Sequence, residues 1–220
     1  KVKDDFFSSM SHELRTPLTV IIGNCEYLIE DGFCGKSGCP QQDAENVLRH
    51  MEIAGKSQLA LVNDILDMSK IESGKFTINE APYNFSTLVG YVEQMFSMRA
   101  KHTGIEFIVD QKNSEEYLLL GDEHRIKQIL INLVGNAIKF TEKGAVTLTT
   151  AIDDERLLMT VADTGIGIPT ETIGKLFSPF QQADNSTSGR FGGSGLGLYI
   201  SENLAVQMGG NIEVSSEEGI

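Results

Sequence analysis

Apolar residues at steps of three and four run through the first third of this 220-residue chain and leave it little choice of fold. Phe7, Met10, Leu14, Leu18, Ile21, Cys25 and Leu28 form one stripe of a long helix. The stretch DGFCGKSGCPQQ at 31–42 gathers glycines and a proline, which end that helix in a loop. Beyond it Val47, Met51, Ala54, Leu61, Ile65 and Met68 resume the spacing on a heptad, with polar Gln58 in the slot left over; this second helix is expected to reach about Ser73. Two long helices joined by a loop make an antiparallel hairpin, and a hairpin alone leaves a seam open to water. Pairing of two copies into a four-helix bundle covers it, so a homodimer is expected.

The stretch ESGKFTINEAPYNFS at 72–86 is rich in turn residues and marks a boundary, which divides the chain into expected domains at 1–75 and 76–220. After it the periodicity becomes mixed. A helix is expected near 86–102, a strand near 105–110, a helix near 123–140 and strands near 145–152 and 156–163. A glycine-rich stretch, a helix near 195–208 and a last strand at NIEVSS complete the pattern. The expected fold class is therefore α followed by α+β: a helical hairpin, then an α/β sandwich with helices layered on a sheet.

Charge narrows the partners. Eighteen Lys and Arg stand against 31 Asp and Glu, a net charge of −13, with no basic stripe, which argues against nucleic acid and anionic membrane as partners. No run of about eighteen apolar residues appears, so no membrane contact and a cytoplasmic location are expected for these residues. Cys25, Cys34 and Cys39 are sparse, odd in number and poorly spaced for zinc, which favours free thiols in a reducing compartment. The start without Met and the stop just after a strand-like run read as those of a fragment.

Three stretches of the second domain carry chemistry. In RIKQILINLVGNAIKF at 125–140, Ile126, Ile129, Leu130, Leu133, Val134 and Ala137 make an apolar side, while Gln128, Asn132, Asn136 and Lys139 line another. An amide oxygen suits a hard cation such as magnesium and an ammonium suits phosphate, although an ordinary solvated face has the same composition. VADTGIGIP at 161–169 ends a strand on Asp163 and turns on Gly165 and Gly167; the carboxylate accepts from an exocyclic amine, and glycines admit a flat ring such as a purine. GRFGGSGLGLYIS at 189–201 leads backbone amides free of side chains into a helix N-terminus, an anion site for phosphates, with neither dinucleotide-fold nor P-loop spacing.

In order and spacing these stretches resemble the nucleotide-binding boxes of the ATPase domain shared by histidine kinases, type II topoisomerases, heat-shock-90 chaperones and mismatch-repair proteins. The resemblance implies ATP and Mg2+ as cofactors, with Asn136 the metal ligand, Asn132 and Lys139 phosphate contacts, and Asp163 the adenine reader. It adds Phe140, Gly165, Gly167, Ile168, Phe180, Arg190, Gly193, Gly195, Leu196 and Gly197 to the nucleotide contacts. KLFSPFQQADNSTSGRF, with Phe177 and Phe180, resembles the segment that closes over ATP.

Members that hydrolyse ATP with water carry a glutamate where this chain has Asn132, and an amide accepts no water proton at neutral pH. Transfer to another acceptor is then favoured, and SSMSHELRTPL at 8–18 supplies one. His12 lies about 200° around the helix from the core residue Met10, toward solvent, where a neutral imidazole acts as a nucleophile and Glu13 takes its second proton. Thr16, four residues on, shares that face and is placed to orient a water; Pro17 removes a helix hydrogen bond beside them. SHELRTPL resembles the phosphoacceptor box of sensor histidine kinases, and LVNDILDMSKIESGK the end of their second bundle helix. That resemblance implies autophosphorylation of His12, onward transfer to an aspartate of a response-regulator receiver domain, a phosphatase role for Thr16 and an upstream sensor. It is consistent with a membrane-anchored full-length protein, and its hybrid character hints at a receiver downstream. The loop with Cys34 and Cys39 is longer than the resemblance implies, and the family's last glycine box and closing strand would follow Gly219. The competing readings are a stand-alone ATPase or clamp, which predicts phosphate release independent of His12, and a dimerisation scaffold, which binds no ATP.

Overall fold

The structure is a computed structural model that describes residues 14–25, 41–112, 118–153, 156–180 and 195–217. The chain divides into two compact units, Lys1–Gly74 and Lys75–Ile220.

The first unit holds helices α1 (14–25) and α2 (Gln41–Glu72). Along α2 the expected heptad faces inward: Ala54, Leu61 and Met68 are buried, and Val47, Met51, Gln58 and Ile65 are half-buried. The helices meet near Gly55, where an added methyl would lie 4.0 Å from Ile21 Cδ1. On α1, Leu14, Ile21 and Cys25 are half-buried, but Leu18, expected on the same stripe, is 44% exposed. A helix with one neighbour buries a single narrow stripe, and Leu18 falls beside it with Val20 and Ile22. Leu48, Leu59, Val62 and Leu66 of α2 are exposed as well, which leaves this unit a second apolar face. The expected first turns of the long helix, with Phe7, Met10, His12 and Glu13, and the expected loop with Cys34 and Cys39 lie outside the described residues.

The second unit runs β1 (Ala81–Asn84), α3 (Phe85–Thr103), β2 (Glu106–Gln111), β3 (Leu118–Gly121), α4 (Glu123–Phe140), β4 (Ala145–Asp153), β5 (Arg156–Asp163), the single turn α5 (Thr170–Ile173) and α6 (Gly197–Gln207). β2 pairs parallel with β4, and β4 antiparallel with β5, which makes a mixed sheet in the order β2-β4-β5. β1 and β3 pair with each other in a separate antiparallel ribbon. That ribbon was not expected, because four-residue strands are too short to show a period of two. The expected last strand is also absent: residues 211–217 pair with no strand among the described residues, although their sequence alternates. Their tie to the preceding loop is a side-chain one, the Ile168 N–H donating to Ser216 Oγ at 2.9 Å, and such a contact sets no strand register.

α3 and α4 lie on one face of the sheet. Val89, Val92 and Phe96 of α3 and Leu130, Val134 and Ile138 of α4 are buried with Val146 and Leu148 of β4. Alternation along β4 explains the two layers: Val146, Leu148 and Thr150 point inward while Thr147 and Thr149 face the other way, half-buried. α3 starts on Asn84, whose side chain accepts from the Thr87 N–H at 2.9 Å, and stops on Gly104 in the left-handed region at φ 74°, where Ile105 N–H donates to the Ala100 carbonyl at 3.0 Å. α4 starts on buried Asp122, which accepts from Arg125 N–H at 3.1 Å and from Asn79 N–H at 2.9 Å. That cap fixes the N-terminal end of α4.

Candidate functional site

The C-terminal end of α4 meets the loop that follows β5. The Phe140 carbonyl accepts from Ile166 N–H at 3.3 Å, and Asp163 Oδ1 accepts from Gly165 N–H at 2.9 Å. A methyl on Gly165 would stand 2.6 Å from both of those oxygens, so the loop closes only around a glycine. Gly167 adopts φ 70°. Thr164, which sequence reasoning did not single out, fastens the loop to β4: its N–H donates to the Ala145 carbonyl at 3.1 Å and its Oγ1 accepts from Ala145 N–H at 3.0 Å. A Thr between an Asp and a Gly was the only available signal.

This junction opens into a cleft of 1890 Å3 that brings together Asn136, Phe140, Asp163, Gly165, Gly167 and Ile168, all expected at the site, with Phe177 beside them. The volume exceeds what one nucleotide fills because the cleft continues along β5 and residues 209–217. Leu133, expected on the core side of α4, lines the cleft instead, and this gives the wall an apolar patch. Asp163 is exposed, and its Oδ2 has no partner among the described residues.

Asn132 and Lys139 do not line the cleft. Asn132 Nδ2 donates to Ser201 Oγ at 2.9 Å, and Asn132 Oδ1 accepts from Asn136 Nδ2 at 3.4 Å. Gly197 explains how α6 comes so near: a methyl there would collide with the Asn132 amide. The Lys139 ammonium lies 4.8 Å from the Phe140 ring centroid, a cation over an aromatic face.

Residues that flank the expected closing segment are placed as well. Phe180 takes φ 65°, unusual for a residue with a side chain, and its N–H donates to the carbonyl of Gly195, itself at φ 64°. Leu196 is fully buried and leads into α6, which packs Ile200, Ser201 and Leu204 inward. Arg190 and Gly193 lie outside the described residues. Thr16 is exposed on α1.

Magnesium fits the donors present. Among the described residues no three His, Cys, Asp or Glu side chains gather where a metal would sit, so a carboxylate cage is not offered. Asn136 commits its nitrogen to Asn132, which leaves its amide oxygen as the atom for a hard cation. One neutral oxygen holds such an ion weakly, so the ion has to arrive with the oxygens of a nucleotide phosphate. Among the described residues no helix is long and apolar enough to cross a membrane.

An α/β sandwich with this loop, asparagine pair and glycine-led helix defines an ATP-binding domain of the class described as histidine kinase-, DNA gyrase B- and HSP90-like ATPases, and residues 121–220 match that family. Residues 2–74 match the His Kinase A (phospho-acceptor) domain, and with both domains in one polypeptide the chain belongs to the sensor histidine kinase family. Over 225 residues it is 36% identical to the autoinducer 2 sensor kinase/phosphatase LuxQ of Vibrio parahaemolyticus, a match covering 100% of this chain and 25% of LuxQ. The chain thus spans about a quarter of the length of the curated relatives it matches. Full-length ShkA, solved in complex with AMPPNP, shares 33% identity and a TM-score of 0.70 over 96% of this chain and 42% of its own. The catalytic domain of the histidine kinase ThkA shares 31% identity and a TM-score of 0.52 over 59% of this chain and 83% of its own.

Proposed function

We propose that this chain is the catalytic core of a sensor histidine kinase, which binds magnesium-ATP in its second domain (76–220) and transfers the γ-phosphoryl group to His12 of its first (1–75). The observation that carries this reading is the commitment of Asn132 to Ser201 and Asn136, at the position where water-activating relatives hold a glutamate. Nothing at that turn accepts a proton from water, so the phosphoryl group is delivered to a side chain instead.

In this reading a neutral imidazole nitrogen of His12 attacks the γ-phosphorus, the bond to the β–γ bridging oxygen breaks, and ADP leaves carrying that oxygen. Glu13 takes the proton from the other ring nitrogen. Asp163 accepts from the adenine amine, with Gly165, Gly167 and Ile168 lying against the ring. Asn136 offers its oxygen to magnesium, which when bound neutralises the charge of the β- and γ-phosphates. Lys139 and the backbone from Gly193 through Leu196 to Gly197 attend the phosphates, with Phe140, Phe180 and Arg190 around the nucleotide, while Asn132, expected as a phosphate contact, is turned instead to Asn136 and Ser201. Positioning and charge do most of the work, since the protein supplies no bond to phosphorus other than the one at His12.

The acceptor downstream is an aspartate on a response-regulator receiver domain, and Thr16 orients the water that reverses the phosphorylation of that partner. Two copies assemble through the exposed apolar face of the helical unit. These residues act in the cytoplasm, beneath a sensor carried elsewhere in the full protein. Incubation with ATP labelled at the γ-phosphate tests the central claim: His12→Gln abolishes acid-labile label and leaves AMPPNP binding intact. Label persisting in that variant overturns the assignment.

A further inference from the structure

We infer that Ser201 is a positioning residue for the metal site, acting through Asn132 on the magnesium ligand Asn136; this deepens the nucleotide reading above and rests on it. The three side chains form one relay. Asn136 Nδ2 donates to Asn132 Oδ1 at 3.4 Å, and Asn132 Nδ2 donates to Ser201 Oγ at 2.9 Å, across 69 positions of sequence. Ser201 is 1% exposed, so its oxygen is no solvent hydroxyl, and the bond from Asn132 is not in competition with water.

An amide presents either its oxygen or its nitrogen to the cleft, and only the oxygen binds a cation. Isolated, Asn136 would gain nothing from choosing the oxygen. In the structure the donors run one way: Ser201 accepts from the nitrogen of Asn132, and the Asn132 oxygen faces Asn136. That oxygen in turn holds the nitrogen of Asn136, and the Asn136 oxygen is the one presented. Partners that orient a ligand in this way are worth about tenfold or more in metal affinity.

The relay also joins two elements that the nucleotide has to coordinate. Ser201 and Gly197 both sit on α6, directly after the glycine box, and Gly197 is the residue whose missing side chain lets α6 press against Asn132. Seating of α6 and orientation of the metal ligand are therefore one event, and a displaced α6 leaves Asn136 free to turn.

The test is calorimetric binding of AMPPNP to the full 220-residue chain, titrated with magnesium and repeated in EDTA. Ser201→Ala is expected to raise the magnesium concentration needed for half-maximal tightening by about tenfold, with the affinity in EDTA unchanged. Asn132→Ala breaks the relay at its middle and is expected to raise the magnesium requirement at least as much. In an Asn136→Ala background, where magnesium dependence is lost, Ser201→Ala is expected to add nothing. The inference is overturned if Ser201→Ala leaves the magnesium dependence as it was, or weakens binding equally with and without the metal, or adds its full effect in the Asn136→Ala background. Failure of the wild-type chain to bind AMPPNP at all would instead sink the nucleotide reading beneath it.

Discussion

The Phe180 N–H donates to the Gly195 carbonyl at 3.1 Å, so the residues on either side of 181–194 are fastened to each other. Both take a left-handed backbone, at φ 65° and 64°. For phenylalanine that conformation costs about 1–2 kcal/mol, and for glycine almost nothing. Strain kept at such a tie points to geometry that the surrounding structure needs.

Gly195→Ala moves the same cost onto the second residue. The tie is expected to weaken by about 1 kcal/mol, which appears as exchange of the Phe180 amide about fivefold faster and AMPPNP affinity lower by a similar factor. Unchanged exchange at Phe180 would mean that the loop does not depend on this bond.

Asp163→Asn separates the carboxylate's two jobs. The asparagine oxygen still accepts from Gly165 N–H, so the loop and the melting temperature are expected to hold. The acceptor offered to adenine becomes a donor facing a donor, at a cost of about 1.5–3 kcal/mol, or about tenfold to a hundredfold in AMPPNP affinity. Discrimination between adenine and guanine nucleotides should fall with it. A lower melting temperature with intact affinity would assign Asp163 to the fold alone.

How much of this was legible beforehand depended on the range of the interaction. The α2 heptad was readable down to Gln58 in its odd slot, because helix periodicity is local and repeats many times. The boundaries of α4, β4, β5 and α6 were readable for the same reason, and Asp163, Gly165 and Gly167 because a tight turn restricts its residues. β1 and β3 were not, since two four-residue strands exist only through each other. Leu18 and Leu133 fell beside faces whose width depends on what packs against them. Ser201 carried no signal at all: a serine in a helix acquires its role from α6 lying against α4, a contact no periodicity encodes.

Leu59→Asp tests the proposed dimer. Leu59, Val62 and Leu66 follow one another at steps of three and four on α2 and are 62%, 38% and 52% exposed in the single chain. Each leucine covered by a partner contributes about 2 kcal/mol, and two-fold symmetry counts every substitution twice. One substitution therefore costs about 4 kcal/mol, roughly a thousandfold in dissociation constant. Sedimentation at micromolar concentration should show monomers where the unaltered chain dimerises, and a dimer as tight as before would remove this face from the interface.

Tyr83 makes the second unit sensitive to alkali. Its ring is 6% exposed on β1, and burial, with the nearby charge of Glu123, pushes its pKa from 10.0 up to about 12. The folded state thus holds the phenol proton more tightly than the unfolded chain. Below pH 10 both states keep it and the stabilisation is complete; between pH 10 and 12 the unfolded chain alone loses it, and stability falls. At pH 11 the loss amounts to about 1.4 kcal/mol from this group. Tyr83→Phe has no proton to lose, while the lysines and the other tyrosines titrate alike in both proteins. The difference in guanidinium unfolding free energy between pH 9 and pH 11 should therefore be about 1.4 kcal/mol smaller in Tyr83→Phe than in the unaltered chain. Equal differences in the two proteins would show that water reaches the phenol and that the core around β1 is looser than its packing indicates.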